Sequence, residues 1–396
     1  MLAVRSSFRE AVLTPLRHAL LGLFVSATLC APAAARQCVI VGDASGDFAA
    51  ARLTATGQRD LTFGSAGTTR FNIFGTDAAC ASVRLANGRI LLAGVAGGDF
   101  AVARLNSTGT IDSTFGTGGA VRFNISGTDV ASAIAVQADG KILVAGESSG
   151  DFAVARLLST GALDTTFGAA GKVRFNIAGT DRVFAMLLQP DGKIVVAGDS
   201  SGDFAVARLN TNGSLDSTFG VGGQVRFNIS GTDIGAAIVR RSDGKLLVVG
   251  ESSGDFAAAQ LNTNGSLDST YGFGGAVRFN ISGTDRAFAT LLQPDGKLVL
   301  AGDSSGDFAA ARLNANGSLD STFGVGGTVR FNISGTDLAA GMLRQADGKL
   351  ILAGSSSGDF AAARLNTNGS LDSTFGSGGT IRFNLFGTDV GYAITP

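Results

Sequence analysis

Residues 181–233 read DRVFAMLLQPDGKIVVAGDSSGDFAVARLNTNGSLDSTFGVGGQVRFNISGTD. The apolar run DRVFAMLLQ stops at PDG, a strong turn signal. KIVVAG follows, β-branched and apolar on both faces, and DSSG interrupts it. DFAVARLN comes next, then a long polar and glycine-rich connection, TNGSLDSTFGVGG. QVRFNI alternates, with Val225, Phe227 and Ile229 on one face and Arg226 and Asn228 on the other, the period of a strand. This is four strands with short connections, read as antiparallel hairpins. No segment has the length and 3.6-residue period of a core helix.

The same passage recurs along the chain. GDF places an aspartate at Asp47, Asp99, Asp151, Asp203, Asp255, Asp307 and Asp359, and GTD places one at Asp77, Asp129, Asp181, Asp233, Asp285, Asp337 and Asp389. RFN places an arginine at Arg70 and six later positions, and every step is 52 residues. A fixed period of this size marks a repeat architecture. A four-stranded unit that is apolar on both faces needs a cover on each, and its neighbours are copies of itself. Radial repetition of such sheets is a β-propeller. The fold class read here is therefore all-β, a seven-bladed propeller of four-stranded blades.

The two ends predict how the ring closes. The last residues, DVGYAITP from Asp389 to Pro396, hold only the first strand of a unit, while RQCVIVGDASGDF from Arg36 begins at the second. One C-terminal strand and three N-terminal strands then share a blade, and no open edge is left. Seven units of 52 make 364 residues, and residues 36–396 are 361, short by part of one turn. Three residues after each GTD aspartate stand Cys80, Ser132, Phe184, Ala236, Phe288, Ala340 and Tyr392. From Ser132 onward small and large alternate, as close packing round an axis requires. An odd ring must bring two small residues together, here Cys80 and Ser132.

Residues 1–35 lie outside the period. Arg5, Arg9 and Arg17 precede the apolar run ALLGLFVSATLC, and APAAA follows, the order of a secretory signal peptide with cleavage before Arg36. The domains are thus a signal peptide at 1–35 and a propeller at 36–396, with an exported destination, periplasmic or extracellular. Losing three arginines and one glutamate takes the formal charge from −1 to −3, no footprint for nucleic acid. No later run has the roughly 20 apolar residues of a transmembrane helix. The one histidine, His18, lies in the signal, so residues 36–396 have none. That excludes Ser-His-Asp and Cys-His catalysis and histidine-based metal sites. Cys38 and Cys80 read as core filler rather than as a disulfide framework.

QPDGKIVVAGDSSGDFAVARLNTNGSLDSTFGVGG resembles the delta-60 repeat family of exported bacterial proteins, which are assigned to β-propellers. The resemblance covers nearly all of the chain after residue 37. It implies the fold and export, and brings no catalytic residue with it.

In propeller connectivity the GDSSGD and NISGTD loops share one face. The fourteen aspartates of GDF and GTD would gather there as a candidate binding surface for cations or basic partners, or else would bind their own turns. Asp199 and Asp203 make calcium the one cofactor these loops would suit, though the spacing is not that of an EF-hand. Departures from the repeat stand at Arg84, Arg182, Arg240, Arg241, Arg286, Arg344 and Gln260. LDSTFG falls on the opposite face. It predicts a helical turn folded back on the blade edge, with Leu215 and Phe219 inward and Asp216 closing the turn, a local role in which an amide would serve nearly as well. The function that follows is an exported, monomeric, non-catalytic binding or scaffold propeller for a protein or polymer ligand. The alternative is a carboxylate-dependent hydrolase of a carbohydrate or surface polymer.

Overall fold

The computed structural model describes residues 37–385 and 387–396; the predicted signal peptide lies outside them. Seven four-stranded antiparallel sheets succeed one another round an axis. In the fourth blade the strands are Asp181–Leu188, Ile194–Ser200, Asp203–Leu209 and Gln224–Phe227, hydrogen-bonded in that order. The blade that closes the ring is made of Asp389–Thr395, then Cys38–Ala44, Asp47–Leu53 and Thr68–Phe71. Its register runs Val39 opposite Thr395 to Ala44 opposite Asp389, so the one-plus-three closure read from the two ends is the one observed. We count this as the first blade and the others in chain order. No helix among the described residues is long and apolar enough to cross a membrane.

First strands of adjacent blades pack on one another around the axis. Each carries a β-bulge, and the bulged residue is the one in the alternating series: in the fourth blade the register slips between Val183 and Ala185, which leaves Phe184 as the extra residue. The partner strand shows why. A Cβ on Gly198 would lie 1.8 Å from the Arg182 carbonyl oxygen, so the glycine of AGD is the residue that lets the bulged backbone approach. Bulging turns Phe184 and Phe288 toward the axis, where both are buried, and Phe288 packs with Ala236 and Leu338. Where two small residues meet, Cys80 packs with Tyr392 and Val95. Ser132 fills the other side by donating its hydroxyl to the Val183 carbonyl of the next blade, 2.5 Å away. Cys38 and Cys80 are free and buried, and burial pushes both thiols up to about 12.

Between blades the sheets present apolar faces to one another. Phe204 is fully buried and stacks against Phe227 with ring centroids 5.4 Å apart, and the pair recurs in every blade. Replacing Phe288 with alanine removes the largest side chain of its cluster at the axis. It should cost about 3–5 kcal/mol of stability, read by denaturant unfolding; a cost below about 1 kcal/mol would mean that the ring position does not fill the core.

Candidate functional site

The fourteen predicted aspartates lie on one face, in two structural roles. Those of GTD are buried. Asp181 accepts the amides of Ile177 at 2.5 Å and Ala178 at 3.2 Å, and Asp129 and Asp337 do the same in their blades. The Asp77, Asp285 and Asp389 carboxylates accept from Ile73, Ile281 and Leu385, and Asp233 from Ile229 at 2.6 Å. Burial raises the Asp77 and Asp233 carboxyls above the usual range, against the amides that favour the charge. The GDF aspartates stand on the rim. Asp203 is held by Arg226 at 2.7 Å and Asn228 at 2.7 Å, and the equivalent arginine and asparagine of each other blade hold Asp47, Asp99, Asp151, Asp255, Asp307 and Asp359. Half of the expected negative field is therefore matched by arginines, and the other half is turned into the loops.

Further in lie charged residues that vary between blades. The second residue of each first strand pairs across the sheet with the sixth of the second strand: Arg182 with Asp199, Arg286 with Asp303, Val130 with Glu147, Ile234 with Glu251, and Val390 with Asp43. Arg182 grips Asp199 with two bonds of 3.0 Å, and Arg286 grips Asp303 at 3.0 and 3.1 Å. Both guanidinium groups lie 5.6 Å from the rings of Phe184 and Phe288, which close the axis beneath them. Glu147 reaches from the third blade toward this pair: burial raises its carboxyl, Arg182 lowers it and Asp199 raises it again. Around Arg182 two acids, Asp199 and Glu147, face one arginine, so the axial mouth carries surplus carboxylate there. Burial also raises Asp199 and Asp303 despite their arginines. Among the described residues no three His, Cys, Asp or Glu converge as metal ligands. Arg182 and Arg286 were visible in the sequence as departures from the repeat. That they meet Asp199 and Asp303 required the register.

The opposite face holds LDSTFG. Phe219 is fully buried, and a turn closes behind it through Phe219 N–H to the Asp216 carbonyl, 3.0 Å. The plug enters the joint with the next blade rather than folding onto its own edge: a Cβ on Gly265 would meet the Phe219 ring at 3.1 Å, and Gly220 N–H donates to the Asn264 carbonyl at 2.7 Å. Asp216 also does more than close a turn. Its Oδ2 accepts from Arg208 at 2.6 Å and Lys193 at 2.8 Å, and its Oδ1 from the Thr218 hydroxyl at 2.7 Å. Arg208 lies over the Phe219 ring at 4.6 Å and donates to the Thr263 carbonyl of the next blade at 2.7 Å. In the fifth blade Gln260 replaces this arginine, and Arg241, from the turn between the first two strands, donates to the Ala315 carbonyl instead at 3.1 Å.

Comparison with known proteins agrees with this architecture. The model of a domain of unknown function, the DUF5122 beta-propeller, matches residues 85–115, 137–167, 189–219, 241–271, 293–323 and 345–375. No curated protein matches the chain. Among solved structures, a protein from Lactobacillus plantarum aligns with a TM-score of 0.60 at 14% identity, over 91% of this chain and 99% of that one. A catalytically inactive virginiamycin B lyase from Staphylococcus aureus, solved with quinupristin, aligns with a TM-score of 0.50 at 10% identity, over 76% of this chain and 86% of that one. At these identities the likeness is one of fold. Together the repeat matches and the neighbours support a bacterial β-propeller repeat family.

Asp216→Asn should strand a buried guanidinium and cost about 3 kcal/mol, comparable to Phe219→Ala. At Asp112, the same position in the second blade, the Thr114 hydroxyl first and then Arg104 hold the carboxyl down to about 2, against burial. A carboxyl depressed in the folded state stabilises fully above its unfolded pKa of about 4 and loses that contribution as pH falls through the folded value. Wild-type melting temperature should therefore drop between about pH 4 and pH 2. Equal stability of Asp216→Asn and wild type at neutral pH would reduce the carboxylate to the local turn role.

Proposed function

We propose that the chain is an exported, non-catalytic binding propeller whose axial mouth on the aspartate face receives a cationic group of its ligand. The observation that carries this reading is the second acid, Glu147, beside the Arg182–Asp199 pair. On this face the rim aspartates already have arginine partners, so an incoming ammonium or guanidinium finds its counter-charge in Glu147. Low-dielectric walls strengthen such a field at the mouth. Phe184 and Phe288 beneath the arginines give the site an apolar floor, suited to the alkyl part of a lysine or arginine side chain. Export rests on residues 1–35 and on the resemblance to the delta-60 repeat family. The ligand class is a basic peptide or a polymer bearing amines.

Titration of the protein with oligolysine by calorimetry tests this. Glu147→Gln should weaken binding at least about tenfold, and added salt should weaken wild-type binding as it screens the charges. Because burial raises the Glu147 carboxyl, wild-type binding should fade at a higher pH than an ordinary glutamate would dictate. Absence of oligolysine binding, or an unchanged affinity in the Glu147→Gln variant, would overturn the reading.

A further inference from the structure

The face opposite the mouth is built by the turns between first and second strands and by the long third-to-fourth connections; Lys193 from the one meets Asp216 from the other. It is unlike the aspartate face in two independent ways. The first is apolar exposure. Val221, Phe273 and Val325 occupy the same place in three consecutive blades, where the other blades have Ser65, Thr117, Ala169 and Ser377. Each stands at the tip of a tight turn, Phe273 N–H to the Ala276 carbonyl and back, and they are 88%, 96% and 87% exposed. Leu61, at 65%, projects from the same connection of the first blade, and Ile111, Leu158 and Leu267 are exposed lower on it. Of the exposed large apolar side chains among the described residues, all but Phe74 lie on this face. Scattered single hydrophobes are ordinary, but a one-sided set marks an interaction surface.

The second is charge. Within a regular blade the charges here balance in number: Arg208 and Lys193, which both hold Asp216, against Asp216 and the turn aspartate Asp191. In the fifth blade Arg241 takes the place left by Gln260. Arg59, Arg240 and Arg344 are then surplus, and the second blade has Asn87 where others carry the turn aspartate, so that Arg89 and Arg104 share Asp112. Arg84 is held by the Pro396 oxygen, and no acid among the described residues pairs with Arg240 or Arg344. The propeller is therefore polarised along its axis, with surplus carboxylate at one end and surplus guanidinium at the other.

The geometry points to this face as a docking surface for an anionic lipid bilayer, with the apolar tips entering the headgroup boundary and the surplus arginines meeting lipid phosphates. Binding of this kind combines buried apolar area with attraction to anionic lipid. The tips favour a bilayer over a protein partner because they stand on separate glycine-rich turns of three different blades. A fluid interface accepts separate protrusions, whereas a protein interface needs a contiguous packed core. Docked this way, the protein presents its acidic mouth away from the repelling surface.

Flotation of the full-length folded protein with vesicles of equal parts phosphatidylcholine and phosphatidylglycerol tests the proposal, with phosphatidylcholine vesicles as the neutral arm. Wild type should float with the anionic vesicles and bind the neutral ones at least about tenfold more weakly. The triple variant Val221→Ser, Phe273→Ser, Val325→Ser should keep the wild-type melting temperature, since these side chains bury nothing, and lose at least about tenfold in vesicle affinity. Arg59→Gln with Arg240→Gln and Arg344→Gln should remove the preference for anionic lipid. Oligolysine binding should be unchanged in the tip variant, which separates this surface from the axial mouth. Wild type remaining with the unbound fraction, equal binding to neutral vesicles, or a tip variant that floats like wild type would each overturn it.

Discussion

The joint between one blade and the next is the interaction on which the rest of the molecule depends. A blade's sheet is apolar on both faces, so it is stable only when a copy covers each of them. Apolar faces alone would let the sheets slide, since burial has no direction. Arg208 supplies the direction. It is fixed to Asp216 of its own blade, lies across the Phe219 ring, and reaches the Thr263 carbonyl of the next blade. Phe219 fits only because Gly265 opposite it has no side chain. The phrase LDSTFG recurs because every joint needs the same staple. Across the chain ends Arg364 donates to the Ala55 carbonyl at 2.6 Å, and Gly376 N–H to the Thr56 carbonyl at 2.9 Å, so the last joint uses the same bonds as the internal ones.

Given rigid joints, function falls to the residues that the repeat leaves free. At the acidic end these are the positions of Arg182, Asp199 and Glu147; at the other, the tips Val221, Phe273 and Val325 and the unpaired arginines. Both sets are departures from near-identical units, and both lie where a changed side chain disturbs no joint. The fifth blade shows the opposite rule. Gln260 in place of an arginine would weaken a staple, and Arg241 restores the bond to the neighbouring carbonyl.

Much of the fold was legible because it is periodic. Strand number, blade number and the shared closing blade follow from the spacing of GDF, RFN and GTD and from which strand each end carries. The alternation at Phe184 and Phe288 was legible too, but its cause was not. The bulge follows from the Gly198 contact with the Arg182 carbonyl, two residues of different strands whose approach no local pattern states. The same limit governs the sites. Asp216 reads as a turn residue from its neighbours Ser217 and Thr218, and its partners Lys193 and Arg208 come from other strands. The fourteen aspartates were correctly placed on one face, yet their charge is shared with Arg226 and its equivalents or folded into backbone amides. Exposure of Phe273 was the least readable, since a phenylalanine between Gly272 and Gly274 looks like one more core residue.

Closure of the ring by an ordinary joint is the central claim, and native-state hydrogen exchange at two equivalent amides tests it most directly. Gly220 N–H bonds across an internal joint and Gly376 N–H across the joint between the seventh and first blades. The account predicts comparable protection at both, opening only with the cooperative unit that holds the sheets together. Rapid exchange at Gly376 beside slow exchange at Gly220 would contradict it, and would mean that the shared blade is a loose end rather than a member of the ring.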